Sequence, residues 1–326
     1  MKKWMLILLS LVLLVTTATA ETAAPAAGTI VVTTQIENAD MAEFSLYQVR
    51  AEVTVEGRPE AADKINRRLE DIYYNAGTRI EELRNTPCEE GFSPSSYSLT
   101  IDSISTSGAL LFITYSESWY ASGAARPNST EFALAFDTVT GGEVEIDAIL
   151  PSDEAAMDAL IAKVAEQMKS YEKDMFFTAE EAAEKARGGS SASWMIDGSD
   201  LCVIYPAGWL TPQFMGNITV RLPMSSLTGI LDDAYLPMPT SGQGTAQLLP
   251  AAEGESAPWQ LTATGDVADL TGCVYWGSEQ SPYLHTVCYY ASTLADATAA
   301  LPRCAPEEWY VATYQQGGET VTLSSK

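Results

Sequence analysis

Residues 114–149, TYSESWYASGAARPNSTEFALAFDTVTGGEVEIDAI, decide the fold of this chain. The stretch reads as a long strand, a tight polar crossing, a second strand and a hairpin turn. Ile113, Tyr115 and Glu117 alternate with Thr114, Ser116 and Ser118, so one face of the first strand is drier than the other. Gly123, Pro127 and Asn128 supply the backbone freedom and restriction that a crossing needs. Phe132, Leu134 and Phe136 then alternate with Glu131, Ala133, Ala135 and Asp137, the pattern of a half-buried strand. Thr140-Gly141-Gly142 closes a turn into Val144, Glu145 and Ile146.

Working outward toward the amino terminus, residues 110–120 and 97–104 form a hairpin through Ser105-Thr106-Ser107-Gly108. Before it, Gly57-Arg58-Pro59 opens a helix that runs to about Arg84. Its apolar residues Ile65, Leu69, Ile72, Tyr73, Ala76, Ile80 and Leu83 fall at helical spacing with charge on the other side. Such a stripe needs a sheet to cover, and the strands predicted at 29–36 and 44–55 help to provide one. Toward the carboxyl end, Pro151-Ser152-Asp153-Glu154 starts a second helix with Ser152 as its N-cap and a stripe of Met157, Leu160, Ile161, Val164 and Met168. A short helix over 178–187, a hairpin turning at Asp197-Gly198, a loop from Pro206 to Trp209, a strand at 218–222 and a short helix at 224–231 follow. Residues 29–236 are therefore read as an α+β domain, an antiparallel sheet with helices packed on it. The Pro, Gly, Ser, Thr, Ala and Gln composition of 237–258 reads as a linker, and 259–326 as a small β-rich module with a helical turn at 293–301.

At 326 residues, one large plus one small domain is the natural division. Residues 1–20 have the layout of a signal peptide: Lys2 and Lys3, an apolar run from Met5 to Val15, and Ala18-Thr19-Ala20 as the cleavage site. Residues 21–28 form a tether. These features predict a secreted or extracytoplasmic protein of the bacterial envelope, attached to a membrane only where the leader stays uncleaved. The formal net charge of −25 speaks against nucleic acid as a partner, and it favours solubility and attraction of cationic partners. Five cysteines, Cys88, Cys202, Cys273, Cys288 and Cys304, leave at least one thiol unpaired. A bridge near the carboxyl end, such as Cys273 with Cys288, fits an oxidising compartment.

The single histidine, His285, restricts catalysis by nucleophile–imidazole pairs to the carboxyl-terminal module, and neither a metal nor a cofactor is expected. The candidate chemistry of the larger domain is instead a carboxylate. Glu117 lies near Trp119 and Tyr120, with Asp137 or Asp147 as its partner in an acid–base reading, and with an exposed strand face as the plainer one. Arg126 stands in the crossing loop, suited to an anionic ligand or to pairing with a local acid. The segment YPAGWLTPQ (205–213), together with Trp119, Tyr120 and Phe214, reads as an aromatic-rimmed cleft. Glu117, Trp119, Tyr120, Arg126, Asn128 and Trp209 are the candidate ligand-binding residues.

Gly123-Ala124-Ala125-Arg126-Pro127-Asn128 followed by FALAFDTVTGGEVEI resembles a bacterial extracellular domain family. That family's pattern is a strand ending in Gly-Gly-Ala-His-Pro-Asn, then an aromatic-rich strand reaching Asp-x-x-Thr-Gly. Its members form the outer half of lysozyme-sensing anti-sigma factors and the amino end of some peptidoglycan deacetylases. The segment LCVIYPAGWLTPQFMGNITVRLPMSSLTGIL is similar to the family's closing strand, loop, strand and helix, so the resemblance covers about 29–231. It implies an α+β domain with helices on an antiparallel sheet. Arg126 and Ala124 stand where the family has His and its second Gly, so any role of that imidazole is absent. The metal ligands of a deacetylase module and a cytoplasmic segment ahead of the leader find no match, so neither deacetylation nor anti-sigma signalling is expected. The resulting expectation is a non-catalytic binding protein for a lysozyme-like cationic protein or a cell-wall glycan. The alternatives are a carboxylate-based wall hydrolase and a structural surface protein.

Overall fold

The computed structural model describes residues 28–88, 90–151, 154–187, 192–232, 235, 243–250, 259–275, 285–290, 294–301, 309–316 and 319–325. The leader, the tether up to residue 27, Ser152, Cys304 and most of 237–258 lie outside the described residues. The fold is α+β. A mostly antiparallel sheet carries β1 (Gly28–Asp40), β2 (Phe44–Val55), β3 (Ser95–Ser107), β4 (Leu110–Tyr120) and β5 (Asn128–Asp137) in sequence order. The one departure among these five is the β2–β3 pair, which runs parallel over five residue pairs, Phe44↔Ser95 to Gln48↔Leu99. The cause is the helix between them. α1 (Pro59–Arg84) carries the chain back along the sheet, and a strand that follows such a crossover enters in the same direction as the one before it.

α1 covers one face of this sheet. Its buried residues Ile65, Leu69, Tyr73, Ala76, Ile80 and Leu83 are the predicted stripe except Ile72, which is half-buried, and they pack against Val49, Val53, Ile101, Ile113, Leu134 and Phe136. The opposite face is also covered. Leu110, Phe112, Ala133 and Ala135 join a second core built by α2 (Glu154–Met168), α3 (Ala179–Glu184) and a three-stranded sheet of β6 (Ser193–Asp197), β7 (Asp200–Tyr205) and β8 (Ile218–Pro223). β4 is accordingly buried on both faces from Leu110 to Tyr115 and opens to solvent only from Ser116 onward. The expectation of a drier and a wetter face holds for neither half of the strand, because a second layer that the strand's own residues do not announce closes over Thr114. Its hydroxyl accepts from Ser103 Oγ at 3.0 Å and contacts Met195 Sδ at 3.3 Å.

The turn after β5 is built as the Thr-Gly-Gly sequence predicts, but no full strand follows it. Phe136 bridges Glu143, and the chain then enters a 3-10 turn over Ile146–Ile149. Gly141 has φ +73° and its backbone lies directly on the first turn of α1 at Ala61. Lys64 Nζ donates to the Thr140 carbonyl at 2.9 Å and Arg68 pairs with Glu143 at 2.5 Å, fastening the same turn to the helix.

The carboxyl-terminal strands β9 (Thr245–Pro250), β10 (Trp259–Tyr275), β11 (His285–Tyr290), β12 (Leu294–Leu301), β13 (Trp309–Gln316) and β14 (Glu319–Ser324) extend the same sheet. β11 pairs with β1 from Gly28↔Tyr290 to Thr33↔His285 and with β10 on its other side. These strands have a core of their own around Leu261, Val267, Leu270, Tyr310 and Tyr314, which Val31 of β1 joins. The turn between β6 and β7 also reaches them, since a Cβ on Gly198 would stand 2.5 Å from Thr320 Oγ1. Two expectations change here. Residues 245–250 of the predicted linker form a strand, and the Ala-rich 294–301 is strand β12 in place of a helical turn. Pairing with β10 on both counts overrides the local composition. The β10–β11 register sets Cys273 opposite Thr286 and Cys288 opposite Thr271, so the two cysteines stand diagonally across the strand pair and not directly opposite. Among the described residues no helix is long and apolar enough to cross a membrane.

Candidate functional site

The exposed end of β4 lies beside α1, and the predicted carboxylate sits there. On the face toward α1, the pairs Tyr97↔Trp119 and Leu99↔Glu117 bring four side chains of β3 and β4 together, and β5 adds Phe132 opposite Tyr115. Arg79 reaches down from α1. Its Nη1 donates to Glu117 Oε1 at 2.5 Å, and its guanidinium lies over the Trp119 ring at 4.1 Å from the centroid. The Tyr97 hydroxyl donates to the same carboxylate oxygen at 3.0 Å. Burial, and then the charge of Glu117, hold the Tyr97 hydroxyl well above its ordinary pKa, so it remains a donor. The Glu117 side chain is 15% exposed and that of Arg79 38%. A recess of about 190 Å³ opens between α1 and the sheet beside this group, lined by Ile72, Asn75, Leu99 and Phe132 as well as Arg79, Tyr97 and Glu117.

Neither acid expected to partner Glu117 is beside it. Asp137 is opposite Leu110 at the far end of the β4–β5 ladder, seven residues from Thr130, which faces Glu117. That is on the order of 23 Å along a strand. Asp147 is exposed on the 3-10 turn beyond the Gly141 hairpin. The neighbours of Glu117 are a cation and a phenol, which is an arrangement for holding a carboxylate in one place.

The remaining candidates divide between two places. Asn128 begins β5 opposite Trp119, and its Oδ1 accepts from Gln213 Nε2 at 2.7 Å. Arg126 is exposed, and neither an ion pair nor a hydrogen bond engages its guanidinium among the described residues. The expected pairing with a local acid is therefore absent. Tyr120 is half-buried at the end of β4. Trp209 does not rim a cleft with these groups. It stacks on Tyr205 with centroids 5.9 Å apart, packs against the second core, and lies under Lys185 Nζ at 5.4 Å. Its ring completes packing on the face of the sheet opposite to Trp119.

What the 206–217 loop does present is a single turn of 3-10 helix, Gln213–Met215, with Phe214 72% and Met215 44% exposed. The turn is anchored on both sides. Gln213 bonds Asn128, and Asn217 Oδ1 accepts from the backbone N–H groups of Glu131 at 3.3 Å and Ala207 at 2.9 Å, while its Nδ2 donates to Glu131 Oε2 at 3.3 Å. Phe176, 60% exposed, adjoins the same loop through its N–H to the Leu210 carbonyl at 2.8 Å. Behind the turn, Glu131 and Asp102 face each other across β4, with Ser116 donating to Asp102. Burial and then Asp102 raise the pKa of Glu131, and burial raises that of Asp102. Asp102 occupies the irregularity where the β3–β4 register shifts between Ile101 and Ser103. Among the described residues no group of three or more His, Cys, Asp and Glu side chains is arranged to hold a metal ion.

Sequence reasoning missed Arg79, Tyr97, Gln213 and Asn217. A signal existed for the first two: Arg79 is three residues from Ala76 and four from Leu83, on the margin of the buried stripe, and Tyr97 shares a face with Leu99 and Ile101. No local pattern marks Gln213 or Asn217, whose partners on β5 lie 85 and 86 residues away.

No protein-family model matches the chain, and no curated protein matches it. Two solved structures are similar to it. A member of the DUF3298 family from Bacteroides fragilis has 15% identity and a TM-score of 0.45, over 62% of this chain and 94% of its own. A DUF3298 family protein from Pseudomonas aeruginosa has 15% identity and a TM-score of 0.42, over 63% of this chain and 97% of its own. Likeness at this level transfers no function.

Proposed function

We propose that this chain is an extracytoplasmic, non-catalytic binding protein of a bacterial envelope, and that it engages a cationic, lysozyme-like protein through the turn at Phe214 and Met215. The observation that carries the reading is the manner in which these two apolar side chains are exposed. They do not sit on a loose loop, because Gln213 and Asn217 fasten the turn to β5 at both ends. Large apolar groups carried on an anchored turn lose little backbone freedom on binding, which favours an interface anchor. A net charge of −25 adds long-range attraction for a basic partner. The leader and the family resemblance support export, and the anti-sigma or deacetylase setting of that family is not part of the proposal.

The test is retention of a lysozyme on the immobilised, folded protein at low and at physiological salt. Retention that weakens with salt and drops by about tenfold or more in a Phe214→Ser/Met215→Ser variant agrees with the proposal, since anchor truncations typically cost ~2 kcal/mol or more. Absence of retention even at low salt refutes it. Retention of purified wall glycan in place of protein, lost in the Phe214→Ser/Met215→Ser variant, assigns the turn to the other ligand class and equally refutes the protein reading.

A further inference from the structure

We propose that the recess between α1 and the ends of β3, β4 and β5 is a binding site for one neutral, hydroxyl-bearing ring, the size of a single saccharide unit. Its volume of about 190 Å³ is below the ~300 Å³ at which drug-sized ligands begin, so it suits one small ring and no more. Three walls are apolar or aromatic: Ile72 from α1, Leu99 from β3 and Phe132 from β5. The polar groups gather on one side, and they have capacity to spare. Glu117 uses Oε1 for both Arg79 and Tyr97, leaving Oε2 without a hydrogen bond among the described residues. The Asn75 side-chain amide, exposed at the rim, is likewise unbonded, and only Nη1 of Arg79 is engaged by a carboxylate.

These three offer an acceptor, a donor–acceptor pair and free donors around one small volume, with the C–H faces of a ring left to the apolar wall. Hydroxyl groups both donate and accept, so they can meet all three. The local charge selects further. Arg79 and Glu117 neutralise one another at 2.5 Å. A cationic ligand would have to displace Arg79 from the carboxylate, and an anionic one would face Glu117 at close range. Arg79 is also fixed from its other side by Trp119, so little side-chain freedom is lost when the recess fills. The site lies on the α1 face, apart from the Phe214–Met215 turn, and the two proposals fail independently.

Saturation-transfer NMR on the folded protein with glucose and N-acetylglucosamine tests the idea, with glucuronate and glucosamine as charged controls. Saturable binding of at least one neutral sugar in the millimolar range, weaker by about tenfold for the charged analogues, is expected. Asn75→Ala and Glu117→Ala should each reduce affinity by about tenfold, as the loss of hydrogen bonds to the ligand does. Asn75 is exposed at the rim and not part of the core, so its variant keeps the fold even where the Glu117 variant disturbs the Arg79 pairing. Absence of saturable transfer up to about 50 mM of either neutral sugar overturns the assignment, 50 mM corresponding to less than ~2 kcal/mol of binding. So does binding unaffected by Asn75→Ala, or preference for glucosamine.

Discussion

Replacing Gly141 by alanine measures how firmly the β5 hairpin is seated on α1. The residue has φ +73°, where an added Cβ would lie 2.7 Å from Ala61 Cα and 2.9 Å from its carbonyl carbon, with the carbonyl oxygen also in contact. Two costs follow. A non-glycine residue in the left-handed region costs about 1–2 kcal/mol. Forcing a methyl group against helix backbone costs about 1–3 kcal/mol more, because the neighbour is main chain and cannot rotate aside. The sum is a destabilisation of about 2–5 kcal/mol. Two other glycines separate the contributions. Gly57 has φ +68° with open space around its Cβ position, so Gly57→Ala carries the backbone cost alone. Gly142 meets only Thr140 Oγ1 at 3.5 Å, so Gly142→Ala should change stability by about 0.5 kcal/mol or less. Urea unfolding followed by circular dichroism gives all three values from midpoint shifts at constant slope. A Gly141→Ala variant no less stable than Gly57→Ala would refute the contact between turn and helix.

The pH dependence of stability should run opposite to ordinary acid lability. Glu131 has its folded pKa raised by burial and by Asp102, while the hydrogen bond from Asn217 and the charge of Arg221 from β8 lower it; Asp102, also raised by burial, acts in the same direction. A raised carboxyl binds its proton more tightly when folded, so stability falls as pH rises from the unfolded to the folded pKa. The urea midpoint should therefore be higher at pH 5 than at pH 7, and Glu131→Gln should flatten the slope; an unchanged slope in that variant removes Glu131 as the cause. The Cys202 thiol, buried in β7 and pushed up to about 12 chiefly by burial, should resist a thiol-specific reagent in the folded protein and react promptly in urea. Labelling of Cys202 at the unfolded rate under native conditions, read by mass spectrometry, contradicts this. Tyr73→Phe removes the acceptor of the Ala51 N–H, bonded at 2.5 Å, and the partner of the Tyr115 hydroxyl at 3.1 Å. It should cost about 1–3 kcal/mol, and a neutral substitution would show that water already serves that N–H.

The sequence by itself determined the α+β class, the helical stripe of α1 and the strand alternation of β2, because each is a periodic pattern that one segment writes without help, whereas the alternation expected of β5 was overridden by the second core that buries Ala133 and Ala135 as well. It also placed Glu117 and Trp119 on one face of β4, two residues apart. Only the tertiary structure decided what stands against that face. Arg79 and Tyr97 arrive from elements 38 and 20 residues away, and they convert a supposed acid awaiting a second carboxylate into an ion-paired wall of a recess. Trp209 moved the other way, from a cleft rim in the sequence to packing on Tyr205. The strands at 245–250 and 294–301 were illegible for the same reason: each exists through its hydrogen bonds to β10, and a strand's partners are chosen by the whole chain and not by the residues between its own ends.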